Sequence, residues 1–376
     1  MEIPFFRTTI TGNELSYVQE VLSKGDTFAK KKFSKLAEQW FSAQHDLPDF
    51  FLTKSCSHSL ELAMLTIGLQ PDDEVIMPSY AFVACANAVA LRGATCVFVD
   101  VLPGTMNLDE TKIDAAITTK TKAILTLNYS SIACNYMTIH EIAKRHNLYV
   151  IEDNAHGLDA KHDGRFLGTF GDISTFSFDH LKNISCGQGG GIAINNKELL
   201  DKFHIHYEFG TNRKIFFQGG AERYEWKNVG SNYLLSELNA AMLYAQLEIA
   251  TSINAIFVKR WKQYAAALEA LVVSKKIELP LISKKDLING HCFFIKTKNQ
   301  EERSELISFL QTQNIQAQFH YVPLHKSEFG KRAGRFAGED TYTTNESSRL
   351  LRLPLFYNIT EEEVNYVAES IKEFYR

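Results

Sequence analysis

An α/β fold is what this chain predicts: a mainly parallel sheet with helices on both faces, followed by a smaller α+β unit. Two observations point there. From about residue 48 to 195, short apolar runs alternate with helix-like stretches, the pattern of a parallel sheet covered on both sides. Beyond a long proline-free helical stretch, residues 234–271, strands and helices become fewer and mixed. At 376 residues the chain exceeds one small core, and at roughly 100–200 residues per domain it divides into two. The expected division is a large domain over 1–245 and a small C-terminal domain over 246–376, with the long helical stretch linking them.

The elements follow in order. Phe50-Phe51-Leu52 reads as a strand ahead of a helix over 57–67, and Glu74-Val75-Ile76-Met77 as a strand ahead of a helix over 81–91. Cys96-Val97-Phe98-Val99 is the next strand, and Ala123-Ile124-Leu125-Thr126-Leu127 precedes a helix over 139–146. Two more strands lie at 149–153 and 173–178, and an apolar strand begins at Ile192. The C-terminal part offers strands at 292–295 and 317–321 and helices at 301–313 and 361–374, without repeats or low-complexity tracts.

A hydrophobic fraction of 45%, a charged fraction of 22% and a net charge of -4 are ordinary for a globular protein. Without a basic excess, neither nucleic acid nor an anionic membrane surface is an expected partner. The start, Met1-Glu2-Ile3-Pro4-Phe5-Phe6-Arg7, lacks the pattern of a signal peptide. The longest apolar stretch, 81–91, is interrupted by Asn87 and falls short of the roughly 20 residues of a membrane span. A cytoplasmic location is expected. The six cysteines form no C-x-x-C pair, so no metal site and no disulfide framework is indicated.

Chemistry concentrates at strand ends. Lys182 follows the strand-like run Ile173-Ser174-Thr175-Phe176-Ser177-Phe178 and opens the turn Asn183-Ile184-Ser185-Cys186-Gly187-Gln188-Gly189-Gly190-Gly191. A lysine in such a turn is either a solvated loop residue or the amine of an imine to an aldehyde cofactor. Upstream, the strand in Tyr149-Val150-Ile151-Glu152-Asp153-Asn154-Ala155-His156 ends on a carboxylate. Together they suggest pyridoxal phosphate, whose ring nitrogen needs an acidic partner and whose aldehyde needs a lysine. The free amine, with an ordinary pKa of about 10.4, must also become less basic to move protons near neutral pH. Ligands of parallel sheets bind at the carboxyl ends of strands, so one crevice can hold both groups.

Other parts are individually weaker. Thr53-Lys54-Ser55-Cys56-Ser57-His58 sets hydroxyls and amides at a helix start, as an N-cap, an anion site or both. Phe82 is either core or a ring stacked on a flat heterocycle. His156 either packs on that ring or is an ordinary hydrogen-bonded histidine, and Ser177 bonds either a phosphate or backbone and water.

With these segments placed, the chain resembles the DegT/StrS family of sugar aminotransferases over nearly its whole length. Further similar stretches are Pro71-Asp72-Asp73-Glu74-Val75-Ile76-Met77-Pro78-Ser79-Tyr80, Gly210-Thr211-Asn212-Arg213 and Arg349-Leu350-Leu351-Arg352-Leu353-Pro354-Leu355-Phe356-Tyr357-Asn358. The resemblance implies the aspartate-aminotransferase fold (type I) of pyridoxal-phosphate-dependent transferases. It assigns Lys182 to the imine, Asp153 to the pyridine nitrogen, Phe82 and His156 to the ring faces, and Ser57, His58 and Ser177 to the phosphate. Asn232 would reach the phosphate of a neighbouring subunit, which implies a homodimer with composite sites. Asn154, Gln188 and His58 depart from the family pattern. Relatives that dehydrate instead of transaminating carry histidine at the lysine position, so Lys182 argues against that branch.

The implied reaction takes an amino group from L-glutamate to C4 of a dTDP-4-dehydro-6-deoxy-D-glucose and gives dTDP-4-amino-4,6-dideoxy-D-galactose. Arg213, Tyr224, Tyr321 and His325 are candidates for the sugar and nucleotide pocket, or are ordinary packing residues. The alternatives are a gluco or 3-amino product, or a non-catalytic protein that keeps the fold. A nicotinamide site is set aside because residues 187–191 lack the G-x-G-x-x-G spacing.

Overall fold

The structure, a computed structural model, describes residues 1–376. Its strands used below are β1 (Phe50–Thr53), β2 (Glu74–Pro78), β3 (Thr95–Val99), β4 (Thr121–Leu127), β5 (Tyr149–Asp153), β6 (Ile173–Ser177), β7 (Gly190–Ile194), β8 (Phe293–Lys296), β9 (Gln318–Phe319), β10 (Gly334–Phe336) and β11 (Leu350–Leu353). Eight of them form one sheet in the order β1-β7-β6-β5-β4-β2-β3-β10. Only β7 opposes its neighbours, β1 and β6; the other pairings are parallel. The carboxyl ends of β1, β2, β4, β5 and β6 therefore share one edge of the sheet.

Both faces are covered, and the alternation of side chains shows it. Val75, Met77, Leu125 and Ile151 pack in one apolar cluster, whereas Ile76, Ile124 and Val150, their chain neighbours, pack in another. Successive residues of a strand point to opposite faces, so strands buried on both sides must be apolar without interruption. A third cluster ties Phe41, Phe50, Phe176 and Phe178 to Phe257 and Phe293. It joins the sheet to the C-terminal elements.

Helix α1 (Glu14–Lys24), α2 (Lys32–His45), α3 (Cys56–Thr66) and α4 (Val83–Ala90) precede the middle of the sheet. The first two were not anticipated. The long helical stretch is two helices, α5 (Glu237–Leu247) and α6 (Ala250–Val273), bent by 63° at a short break. Helix α5 packs on α1 and α2, while α6 packs on the final helix, Glu361–Phe374. Two buried stripes with different partners cannot share one axis. Since the break at Glu248 and Ile249 has neither proline nor glycine, the sequence shows no sign of it.

The small sheet has the order β8-β11-β9. The strand expected over 317–321 pairs with β11 only through Gln318 and Phe319; the chain then leaves the ladder, and His320 and Tyr321 line a cleft. Three pairings cross residue 245: β10 joins the large sheet beside β3, Asp286–Leu287 pairs with Lys161–His162, and Ile3 bridges to Ile315. No single helix is long and apolar enough to cross a membrane.

One carboxylate organises the loop between β5 and β6. Glu152, fully buried, accepts from Gly168 N (2.6 Å), Phe170 N (2.9 Å), Gly171 N (3.0 Å), Asn128 Nδ2 (2.9 Å) and Ser174 Oγ (3.0 Å). Losing this acceptor strands several buried donors, each costing about 1–3 kcal/mol. Glu152→Ala is expected to lower the thermal unfolding midpoint by more than about 5 °C, measured by circular dichroism.

Candidate active site

The chain leaves β6 at Ser177 and closes a tight turn in which Leu181 N donates to Asp179 Oδ1 (3.1 Å) and Lys182 N to Asp179 O (3.0 Å). The next residue, Asn183, is buried and anchored to Asn254 Oδ1 (2.8 Å) and the Asn289 carbonyl (3.1 Å). Lys182 is thus held on both sides by fixed backbone. Gly187, with φ +79°, supplies the left-handed turn that leads the chain back into β7. Burial pushes the Lys182 amine below its ordinary pKa, Cys56 and Asp153 oppose that, and the nearby charge of Arg352 adds to it. The sequence demanded a less basic amine; the surroundings provide one.

Asp153 ends β5 and is 4% exposed. Its carboxylate accepts from Cys85 Sγ (3.0 Å) and Ala155 N (3.0 Å). Burial pushes its pKa up, and those two hydrogen bonds together with the charge of Lys182 only partly oppose this. His156 is buried with Nδ1 accepting from Ser130 N (3.3 Å), so the ring sits beside His291 at 4.3 Å between centroids. Burial holds it well below the ordinary histidine pKa, hence neutral.

The remaining wall comes from helix starts. Ser55 caps α3, its Oγ accepting from His58 N (3.2 Å), and Ser57 follows in the first turn. A Cβ on Gly190 would lie 2.3 Å from the Ser55 carbonyl carbon, so β7 passes directly against this helix start. Phe82 occupies the N-cap position of α4 without a side-chain capping hydrogen bond and is 55% exposed.

Ser57, Phe82, Asp153, His156, Ser177, Lys182 and Tyr321 all line one cleft of about 600 Å³. The other expected residues lie elsewhere. The His58 ring is tied to Ser55 Oγ through Nδ1 at 2.9 Å. Asn232 lines an adjoining hollow that shares Gln188 with the cleft. Arg213 pairs with Glu208 (3.2 Å) and Tyr224 is 48% exposed. His325 links buried Ser79 (2.6 Å) to Asp340 (2.9 Å). Arg352, His291 and His320 do line the cleft, and sequence reasoning missed them. A lone arginine in the apolar run Leu350-Leu351-Arg352-Leu353 was the available signal for the first; the histidines offered none.

The residues present fit pyridoxal phosphate. Asp153 is a buried carboxylate without a cation of its own, which suits a protonated ring nitrogen. The cleft has a flat aromatic and a neutral imidazole in its walls, an amine of lowered basicity, and hydroxyls at a helix start, where amides and dipole favour an anion. A mainly parallel sheet with this lysine and aspartate at its strand ends defines the fold type I pyridoxal-phosphate-dependent transferases.

Comparison with known proteins narrows the class. The model of the DegT/DnrJ/EryC1/StrS aminotransferase family matches residues 8–372. GDP-perosamine synthase of Escherichia coli O157:H7 is 33% identical, over 99% of this chain and 98% of that protein. DesV of S. venezuelae superposes with a TM-score of 0.89 at 26% identity, over 99% and 98% of the two chains. The aminotransferase TlmJ of Streptoalloteichus hindustanus, at 23% identity, shares the fold with a TM-score of 0.90 over 100% and 99%. The chain belongs to the DegT/DnrJ/EryC1/StrS aminotransferase family. It is an aminotransferase with pyridoxal phosphate as cofactor.

Borohydride reduction of the cofactor-loaded protein followed by peptide mass spectrometry is expected to place the pyridoxyl group on Lys182. Lys182→Ala should abolish the label; labelling of another lysine in wild type would remove Lys182 from this role. Asp153→Asn, which removes the negative charge but keeps the shape, should weaken cofactor retention on dialysis by more than about tenfold, the scale of one lost charge-assisted hydrogen bond.

Proposed function

We propose that this enzyme moves an amino group from L-glutamate to C4 of dTDP-4-dehydro-6-deoxy-D-glucose, giving dTDP-4-amino-4,6-dideoxy-D-galactose. The observation that carries the reading is the pairing of Lys182 and Asp153 across one cleft, in a chain whose family consists of aminotransferases. A nucleotide-sugar substrate is supported by the relative named for GDP-perosamine. The dTDP moiety and the galacto configuration rest on the resemblance carried by residues 71–80, 210–213 and 349–358.

When bound, pyridoxal phosphate supplies the electron sink that makes a carbon bearing the amino group acidic. Asp153 would hold the proton on the ring nitrogen. Phe82 and His156 would flank the ring, and a neutral His156 would do so without repelling a protonated pyridine. Ser57 and Ser177 would hold the phosphate, with His58 positioning the helix start through Ser55. Lys182 carries the proton at the reacting carbon through Nζ, first away from the donor's α-carbon and later back to C4 of the sugar. Burial, which lowers the basicity of this amine, favours its proton-accepting form.

A second copy of the chain completes the site in this reading. Asn232 Oδ1 is buried without a hydrogen-bond partner, in the hollow that adjoins the cleft. The segment preceding it exposes Phe217 (69%), Trp226 (80%) and Val229 (54%), apolar surface of the kind a homodimer covers. Arg213 and Tyr224 lie in the same segment, where a partner's cleft would bring them to substrate.

A GDP-linked sugar is the second reading, favoured by the same relative. The test offers dTDP- and GDP-linked 4-oxo-6-deoxy sugars with L-glutamate and reads the product by nuclear magnetic resonance. A dTDP product with an axial C4 amine is expected. Preference for the GDP sugar, an equatorial amine or amination at C3 would overturn the assignment while leaving the aminotransferase intact.

A further inference from the structure

Helix α4 starts at the cleft. Phe82, at its N-cap position, is among the lining residues. Cys85 follows one turn later, its amide donating to the Phe82 carbonyl (3.1 Å), and is fully buried and outside the lining. Its thiol donates to Asp153 Oδ2 at 3.0 Å, whereas Ala155 N reaches Oδ1 at 3.0 Å and Cys56 Sγ stands 4.0 Å from that same oxygen. Ala155 and Cys56 both line the cleft. Oδ2 is therefore tied from the buried side by one close donor, and Oδ1 is the oxygen flanked by cleft residues.

A strand fixes the backbone of Asp153, yet the carboxylate can still rotate about its side-chain bonds. Apart from the more distant Cys56, only Cys85 among side chains restrains it. The kind of donor matters as much as its place. A buried lysine or arginine there would neutralise the carboxylate within the chain. A thiol is a weak, uncharged donor, so it selects an orientation and leaves the negative charge for a partner on the other side. Burial and the neighbouring carboxylate hold the Cys85 thiol well above its ordinary pKa, and it stays a donor rather than becoming a second anion.

The partner on the cleft side is a ring nitrogen that must keep its proton if the cofactor is to draw electrons, and hydrogen bonds at that nitrogen tune it. We infer that Cys85 is a positioning residue for the cofactor, acting through Asp153: its thiol holds the carboxylate toward the ring nitrogen, so that one turn of α4 registers both that carboxylate and Phe82. The inference rests on Asp153 as the partner of the ring nitrogen, not on the identity of either substrate.

The test compares full-length wild type, Cys85→Ala, Cys85→Ser, Asp153→Asn and the double variant of Cys85→Ala with Asp153→Asn. Two readouts need no turnover: the Kd of pyridoxal phosphate, and the nitrogen magnetic resonance of the loaded enzyme with cofactor labelled at the ring nitrogen, which moves upfield on protonation. Cys85→Ala is expected to weaken cofactor binding about fivefold, the scale of one ordinary hydrogen bond, and to move the resonance toward the neutral position. Cys85→Ser keeps a donor and should recover most of both. In the Asp153→Asn background, Cys85→Ala should change the Kd by less than about twofold, because both effects run through one contact. A cysteine that only fills space would lower the thermal midpoint, leave the resonance in place and add fully to Asp153→Asn. An unmoved resonance, full additivity, or a Cys85→Ser variant no better than Cys85→Ala would each overturn the inference. If Cys85→Ala does not fold, Cys85→Val, which fills the space without a donor, replaces it under the same criteria. An Asp153→Asn variant with both readouts unchanged would remove Asp153 from the ring nitrogen and the inference with it, whereas a defective Asp153→Asn beside an unaltered Cys85→Ala would remove only the role of Cys85.

Discussion

The buried carboxylate of Asp153 is the constraint around which the site is built. An ionised group at 4% exposure is tolerated only where hydrogen bonds and opposite charge replace the water it has lost. The chain supplies thiols from Cys85 and, at 4.0 Å, from Cys56, one amide from Ala155 and the charge of Lys182, and burial still outweighs them. In the proposed reading this deficit is the specificity: a cofactor with a protonated ring nitrogen would complete the carboxylate's set, and a neutral ring of the same shape would not.

The architecture keeps that deficit from being relieved in other ways. Asp153 ends a strand hydrogen-bonded on both sides, to β4 and β6, so its backbone cannot swing toward solvent. Its chain neighbour Glu152 points to the other side of the sheet and binds the loop 168–171. Two adjacent carboxylates thus serve different ends because a strand turns successive side chains to opposite faces. Lys182 is restrained through Asn183, which reaches Asn254 and Asn289, and Asn289 Nδ2 donates to the His156 carbonyl (2.8 Å). The lysine, the imidazole and the C-terminal elements therefore share one polar anchor.

Electrostatic balance in the cleft is set by contrast between charged and silent groups. His156 and His291 are kept neutral by burial, so the positive charge near the reacting amine is that of Lys182 itself and of Arg352. A protonated histidine there would compete for incoming anions and repel a protonated ring. Apolar surroundings that silence the imidazoles also strengthen what charge remains, because a low local dielectric weakens screening.

Much of the cofactor side was legible before any coordinates. Lys182 in its glycine-rich turn, Asp153 at a strand end, and Ser57 and Phe82 at helix starts are each tied to a local motif, and parallel-sheet topology brings strand ends to one edge whatever the details. Arg352, His291 and His320 were not legible, because strands of a separate sheet and their connections carry them to the cleft across more than a hundred residues of chain. The bend between α5 and α6 was likewise invisible, since two packing surfaces impose it and no residue at the break does. Local sequence by itself determined the strands, the caps and the lysine–carboxylate pair, because these depend on side-chain periodicity and backbone preferences within a few residues. Only the tertiary structure decided which distant groups face that pair and which charges stay unpaired, because burial and proximity between remote segments exist only after the chain has closed on itself.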